Sequence, residues 1–328
     1  VLTVTSVEIL DTTSDKAPGT IVSIDNDRVQ VSSQTQDLVL SKLRPLPGSH
    51  YSADQLYTLP SLQVGQQLGS LNIGSSVLLN EKMVQLAKHE SFWAKRLAMQ
   101  EVIEIPYAQR AVKKQNSEYQ CKSLDVPTAT LELFQQGDNP GNQLTTAVLL
   151  YISRICDLES FNVDFRYNNF ASTYNGIQNL FASCIPLRVE FDYQQTFSSN
   201  SKACKNEIEL CISKLGYGRD LVLRYPQLRS NYEHRIKQLS PLLIERVSTL
   251  SDQLTQDDSE LKFVIADDSA QCQWVYDTAI YDDSTIELMQ AQFSALLIDI
   301  EEKNCRIAEL SVLSPQEKQT LLLQLNDT

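Results

Sequence analysis

The chain has 328 residues, 42% of them hydrophobic, and its 28 basic against 41 acidic side chains give a formal net charge of −13. That length predicts two domains with room for at least one large core. An acidic chain without a Lys/Arg cluster disfavours nucleic acid and anionic membrane as partners, and no window approaches the roughly 18 apolar residues of a membrane helix.

Residues 1–57 predict short strands, TVTSVEIL, TIVSI, RVQVSS and DLVLSKL, separated by the turns Ala17-Pro18-Gly19 and Asp25-Asn26-Asp27. Period-two alternation with closely spaced turn signals points to a small all-β barrel. Pro45, Pro47 and Gly48 end this pattern, and residues 58–76 are polar enough to read as a linker. The segment 58–87 carries Leu62, Val64, Leu68, Leu71, Ile73, Val77 and Leu78, which are expected to pack the linker back on the following lobe.

Beyond the linker the pattern becomes α/β. Leu79, Met83, Leu86, Trp93 and Leu97 recur at helical spacing, and Leu144, Ala147, Val148, Tyr151 and Ile155 share one helical face. Strands are expected at FNVDFRY, ASCIPLRVEF, LKFVIA and CQWVYDTAIY. Helices are expected around Cys204–Leu215 and Ile286–Ile300. The sum is a layered α/β sandwich. The last segment, SVLSPQEKQTLLLQLNDT, begins a helix: Ser314 as N-cap, Pro315 at the first helical position, and Glu317 closing a capping box. Leu321, Leu322 and Leu325 give it an apolar stripe before Asn326.

Two resemblances follow from these residues. Ala17-Pro18-Gly19-Thr20-Ile21-Val22, Val29-Gln30-Val31, Leu38-Val39-Leu40, Leu43 and Pro47-Gly48 resemble the C-terminal barrel of methionyl-tRNA formyltransferase, which implies an OB-like β-barrel. The family's catalytic residues lie in a domain upstream of that barrel. Within residues 1–57 four basic side chains face seven acidic ones, so its RNA contact is not expected here.

From about Ser91 onward, Phe92-Trp93, Arg96-Leu97, Ile105-Pro106, the run Asn179 to Val189, and Trp274-Val275-Tyr276-Asp277 with Tyr281-Asp282 resemble the second half of a nonribosomal peptide synthetase condensation domain. The terminal run resembles the connector that leads from such a domain into an adenylation domain. The resemblance implies a single chloramphenicol-acetyltransferase-like lobe over residues 77–310 and a connector helix over 311–328. The connector residues are Ser314, Pro315, Glu317, Leu321, Leu325 and Asn326.

A complete condensation domain is about twice as long and carries a His-His-x-x-x-Asp-Gly motif whose second His assists the attacking amine. The three histidines here are His50, His89 and His234. His50 and Asp54 copy the motif's spacing but lack its first His and its Gly, and they fall at the barrel exit, so the match reads as coincidence. His89 and His234 read as solvated. Asp267-Asp268 and Asp282-Asp283 read as solvated turns. Gly216-Tyr217-Gly218 lacks a strand-to-helix context, and Arg188, after an Ile-Pro-Leu run, reads as an anchor to an internal carboxylate. The seven scattered cysteines include no CxxC pair and read as buried thiols in a reducing, cytoplasmic setting.

No catalytic, cofactor or metal site is therefore expected. The reading is a non-catalytic structural platform between an upstream formyltransferase-like tailoring domain and a downstream adenylation domain. The alternatives are half of a condensation catalyst completed by another chain, or a carrier-protein docking module.

Overall fold

The computed structural model describes every residue except 1, 46–52, 61, 70–71, 102, 110–117, 125, 137–138, 168–173, 175, 229–239, 251–258, 268, 270, 304, 315–316 and 321–328. The chain forms two compact units. The first comprises Val1–Ala94, Gly176–Ala182 and Tyr217–Gln238, and the second comprises Lys95–Asn175, Ser183–Gly216 and Leu239–Thr328.

The first unit opens with strands β1 (Leu2–Ile9), β2 (Ile21–Asp25), β3 (Arg28–Val31) and β4 (Leu38–Pro45), followed by helices α1 (Ala53–Thr58), α2 (Ile73–Ala87) and α3 (Glu90–Ala98). The Pro18-Gly19 signal makes a type II turn: Thr20 N–H donates to the Ala17 carbonyl at 3.1 Å, and Gly19 takes φ of 87°, where a side chain would be strained. Asn26, at φ 52°, turns the β2–β3 hairpin. The four strands pair antiparallel in the order β1-β4-β3-β2.

The expected closed barrel is not found: the sheet is open, with no β1–β2 pairing among the described residues. The free side of β2 is instead taken by the linker, through the Thr20–Gln67 bridge and hydrogen bonds from Ile21 N–H to Gln66 O and from Gly65 N–H to Ile21 O. Leu62 of the linker enters the sheet's core beside Ile21, Val29, Val31, Leu43 and Leu56. Val64, Ile73 and Val77, expected to be buried, are exposed. The helical run from Leu79 to Leu97 is two helices, broken at Lys88–His89. In α3 the fully buried Trp93 packs edge-on to Phe92 and tilts against Tyr217, while Glu90 holds Arg224 bidentately.

The second unit contains β5 (Tyr119–Leu124), α4 (Thr128–Gln136), α5 (Pro140–Cys156), β6 (Ser160–Tyr167), β7 (Ile185–Glu190) and α6 (Phe197–Ser213). A one-turn helix, α7 (Leu221–Arg224), belongs to the first unit. It is followed by β8 (Ser240–Val247), β9 (Ser259–Ala266), β10 (Cys272–Asp277) and α8 (Asp283–Glu302).

The six strands of the second unit form one mixed sheet in the order β5-β10-β9-β8-β6-β7. β8 runs parallel to both β6 and β9, and the other pairs are antiparallel. Helix α5 packs against α4, α6, α8 and β9. It is therefore buried all round, not on the single face that periodicity suggests. Trp274 of β10 is the centre of the core, in ring contact with Phe263, Tyr151 and Phe293.

Candidate functional site: the connector seat

Helix α8 starts at a firm N-cap, where the Asp282 carboxylate accepts the Thr285 N–H at 2.7 Å, and its apolar positions Ile286, Met289, Phe293, Leu296 and Ile300 face the core. Two polar residues, Gln292 and Asp299, interrupt that face. Gln292 is 3% exposed, and a buried carboxamide must find partners. Its Oε1 accepts the Tyr151 hydroxyl at 3.0 Å, and its Nε2 donates to Glu317 Oε1 at 2.7 Å and to the Tyr107 hydroxyl at 3.4 Å.

Glu317 in turn makes the reciprocal pair of a capping box. Its Oε2 accepts the Ser314 N–H at 2.8 Å, and its own N–H donates to Ser314 Oγ at 3.2 Å. Lys318 N–H donates to Ser314 O at 3.0 Å and closes the first turn. The start of the terminal helix is thus held to α8 and α5 through one buried amide.

The segment leading to it is strapped as well. Ile307 N–H donates to Gln195 O, Ala308 N–H to Tyr193 O, Arg154 Nη2 to Leu310 O, and Ser311 N–H to Asp299 Oδ2. Ile307 and Leu310 are buried beneath it. Burial alone would raise the Asp299 carboxyl pKa, but the bonds from Lys303 and Ser311 outweigh it and hold it below the ordinary value. Glu317 behaves likewise, burial being outweighed by the bonds from Gln292 and Ser314. The arrangement fixes a charge and a helix start in place. Of the connector residues, Pro315, Leu321, Leu325 and Asn326 lie outside the described residues.

Other candidates resolve differently. His50 and His234 lie outside the described residues, and His89 sits half-buried at the α2–α3 break. Asp282 and Asp283 are exposed, as expected of a solvated turn, but they open helix α8 and do not join two strands. Asp282 caps α8, its pKa lowered to about 2 by the hydrogen bonds from Thr285 and Ser284, and Asp283 accepts the buried Tyr276 hydroxyl at 2.6 Å.

Arg188 is not an internal anchor, because it lies on an edge strand with its guanidinium exposed beside Glu190. Arg246 on β8 is buried. It donates to Asp267 Oδ1 at 2.5 Å, to Asn142 Oδ1 at 2.8 Å and to Asn139 Oδ1 at 3.3 Å, binding the start of α5 to the ends of β8 and β9. Asp267 is therefore an ion-pair partner and not a free turn residue. Gly141 makes this approach possible, since a Cβ there would lie 2.8 Å from Arg246 Nη2.

All seven cysteines are free thiols, and burial pushes Cys156 and Cys204 up to about 11 and Cys211 and Cys272 higher still. These four stay protonated at neutral pH, which suits packing and not nucleophilic attack. Among the described residues no group of three or more His, Cys, Asp or Glu is placed to hold a metal ion. No helix among them is long and apolar enough to cross a membrane.

Comparison of the sequence with protein-family models and with curated proteins gives no match. The fold does match solved structures. The cyclization-docking bidomain of the EpoB nonribosomal peptide synthetase from Sorangium cellulosum superposes with a TM-score of 0.54 at 12% identity, over 85% of this chain and 62% of that one. The starter condensation domain of rhizomide synthetase, in complex with C8-CoA, gives 0.52 at 16% identity over 72% of this chain and 58% of that one. The X-domain from teicoplanin biosynthesis, in complex with OxyB, gives 0.53 at 12% identity over 86% of this chain and 71% of that one. This chain spans less than two thirds of the first two structures, and at such identities the likeness is one of fold: the protein has the fold of nonribosomal peptide synthetase condensation, cyclization and X-domains.

Proposed function

We propose that this chain is a non-catalytic structural platform within a nonribosomal peptide synthetase, set between an upstream formyltransferase-like tailoring domain and a downstream adenylation domain. The observation that carries this reading is the seat of the terminal helix. Gln292, buried on α8, holds Glu317 and so fixes where the connector helix starts, as a platform for a following domain requires. Residues 77–310 would be a single condensation-type lobe, residues 1–57 the tail of the upstream domain, residues 58–76 their linker, and residues 311–328 the connector.

The fold similarity to condensation, cyclization and X-domains supports the setting, and the X-domain complex with OxyB supports use of this fold as a protein-binding body. Neither the formyltransferase kinship of the small sheet nor the absence of chemistry rests on those likenesses. The first rests on the Pro-Gly turn and strand order, and the second on the missing His motif.

The test is direct. Incubated with acyl- and aminoacyl-loaded carrier proteins, the chain should form no peptide bond above background. Product that vanishes on His50→Ala would instead make it half of a condensation catalyst.

A further inference from the structure

Strand β7 is the outer edge of the six-stranded sheet, and its hydrogen-bonding groups follow a strict alternation. Phe191, just past the strand, donates its N–H toward β6, to Glu159 O at 2.8 Å. Positions 185, 187 and 189 therefore also face β6, and Pro186, Arg188, Glu190 and Asp192 present their main chain outward. A proline at an outward position agrees, because its missing donor costs the ladder no bond.

At Asp192 the outward groups are already satisfied, and the partner is informative. Asp192 N–H donates to Asn200 Oδ1 at 2.9 Å, and Asn200 Nδ2 donates back to Asp192 O at 3.0 Å. The side-chain amide of Asn200, 4% exposed on α6, stands where the peptide group of an added strand would stand. Among the described residues the next two outward positions, Arg188 and Glu190, meet no such mimic.

They open instead on a cavity of about 440 Å³ between β7 and α6. Three consecutive β7 residues, Arg188, Val189 and Glu190, line it, so it runs along the strand's edge and not over one face. Ala203, Cys204 and Leu210 of α6 form its opposite wall, with Arg96 and Glu207 paired at 2.6 Å.

We propose that this cleft takes an extended peptide segment of a partner polypeptide as a seventh strand, paired to the N–H and C=O of Arg188 and Glu190. Only an extended chain offers donors and acceptors at the spacing of an open strand edge. The wall charges are mutually paired, Arg96 with Glu207 and Arg188 with Glu190, so the occupant is uncharged where it enters. Its side chain toward α6 is apolar, to meet Ala203 and the partly exposed Leu210, and its neighbours on either side are polar.

The probe is the capped peptide acetyl-Ser-Thr-Val-Thr-Ser-amide, added to the full chain while amide hydrogen exchange is followed residue by residue. At saturation the N–H groups of Arg188 and Glu190 should exchange about tenfold or more slowly, with Val189 unchanged. N-methylation of the peptide backbone at both Thr positions should abolish the effect, as should Ala203→Trp, which fills the cleft from an exposed helix position. Protection that is absent, or that survives N-methylation, overturns the proposal. So does protection of the same two groups in the peptide-free chain that grows with protein concentration, which would assign the edge to a second copy.

Discussion

The four-stranded and six-stranded sheets bury their apolar faces with very different resources. The small sheet is covered by one short helix and a loop, through Leu56 and Leu62. At its edge strand Val7 and Ile9 remain more than half exposed. The large sheet has α4, α5, α6 and α8 packed in a layer, and the rings of Trp274, Phe263, Tyr151 and Phe293 interlock beneath them. Burial rises with the number of covering elements, so the small unit should be the weaker of the two.

Truncation in each core tests this most strongly. Phe293→Ala removes a fully buried ring and should cost about 3–5 kcal/mol, with exchange rising across β8, β9 and β10. Leu62→Ala should cost about 2–3 kcal/mol and open the small sheet alone. If either substitution loosened both sheets equally by hydrogen exchange, the two cores would be one cooperative body.

The same contrast shows what was legible in the sequence. β6 and α8 stand out because alternation or helical period marks their faces, β9 and β10 because runs of apolar and aromatic residues mark strands buried on both sides, and the Ser314–Glu317 box is legible because its partners are three residues apart. β8 is not marked because its apolar run is only Leu242, Leu243 and Ile244, set between Pro241 and the charged Glu245 and Arg246. The barrel reading of the small sheet failed on a pairing of ends that no local pattern specifies. Gln292 and Arg246 were invisible for a different reason: their partners lie far off in sequence, at Tyr151 and Glu317 for one and at Asn139, Asn142 and Asp267 for the other. Arg188 attracted attention because it follows an apolar run, yet strand parity turns it outward.

A smaller effect separates those two arginines. Arg246→Leu leaves the Asp267 carboxylate and the Asn139 and Asn142 side chains without their donor at the start of α5, and should cost about 2–3 kcal/mol in chemical denaturation. The value is kept low because Asp267 is partly solvated and can rehydrate. Arg188→Ala removes an exposed pair and should stay within about 0.5 kcal/mol. A larger loss at Arg188 than at Arg246 would invert the assignment of the anchor.

A local effect concerns the seat of the 317–320 helical turn, where a cap and a long-range brace can be told apart. Ser314→Ala removes the cap acceptor and should cost about 1 kcal/mol, seen as faster exchange at Glu317 and Lys318 with α8 untouched. Gln292→Leu should loosen the same two amides while the cap remains, because Glu317 loses its tie to the core. The pH dependence follows from the lowered Glu317 pKa. A carboxyl with a folded value below its ordinary 4.5 contributes stability that is fully present above 4.5 and is lost as pH falls through the lowered value. Acidification through that window should therefore lower the protection factors of the Glu317 and Lys318 amides in the native chain, each rate being referred to the intrinsic exchange rate at that pH. In Gln292→Leu the folded value should rise back toward 4.5, and the pH-dependent loss should shrink. An equal loss in both proteins would mean that the cap alone, and not the brace to α8, holds the carboxylate.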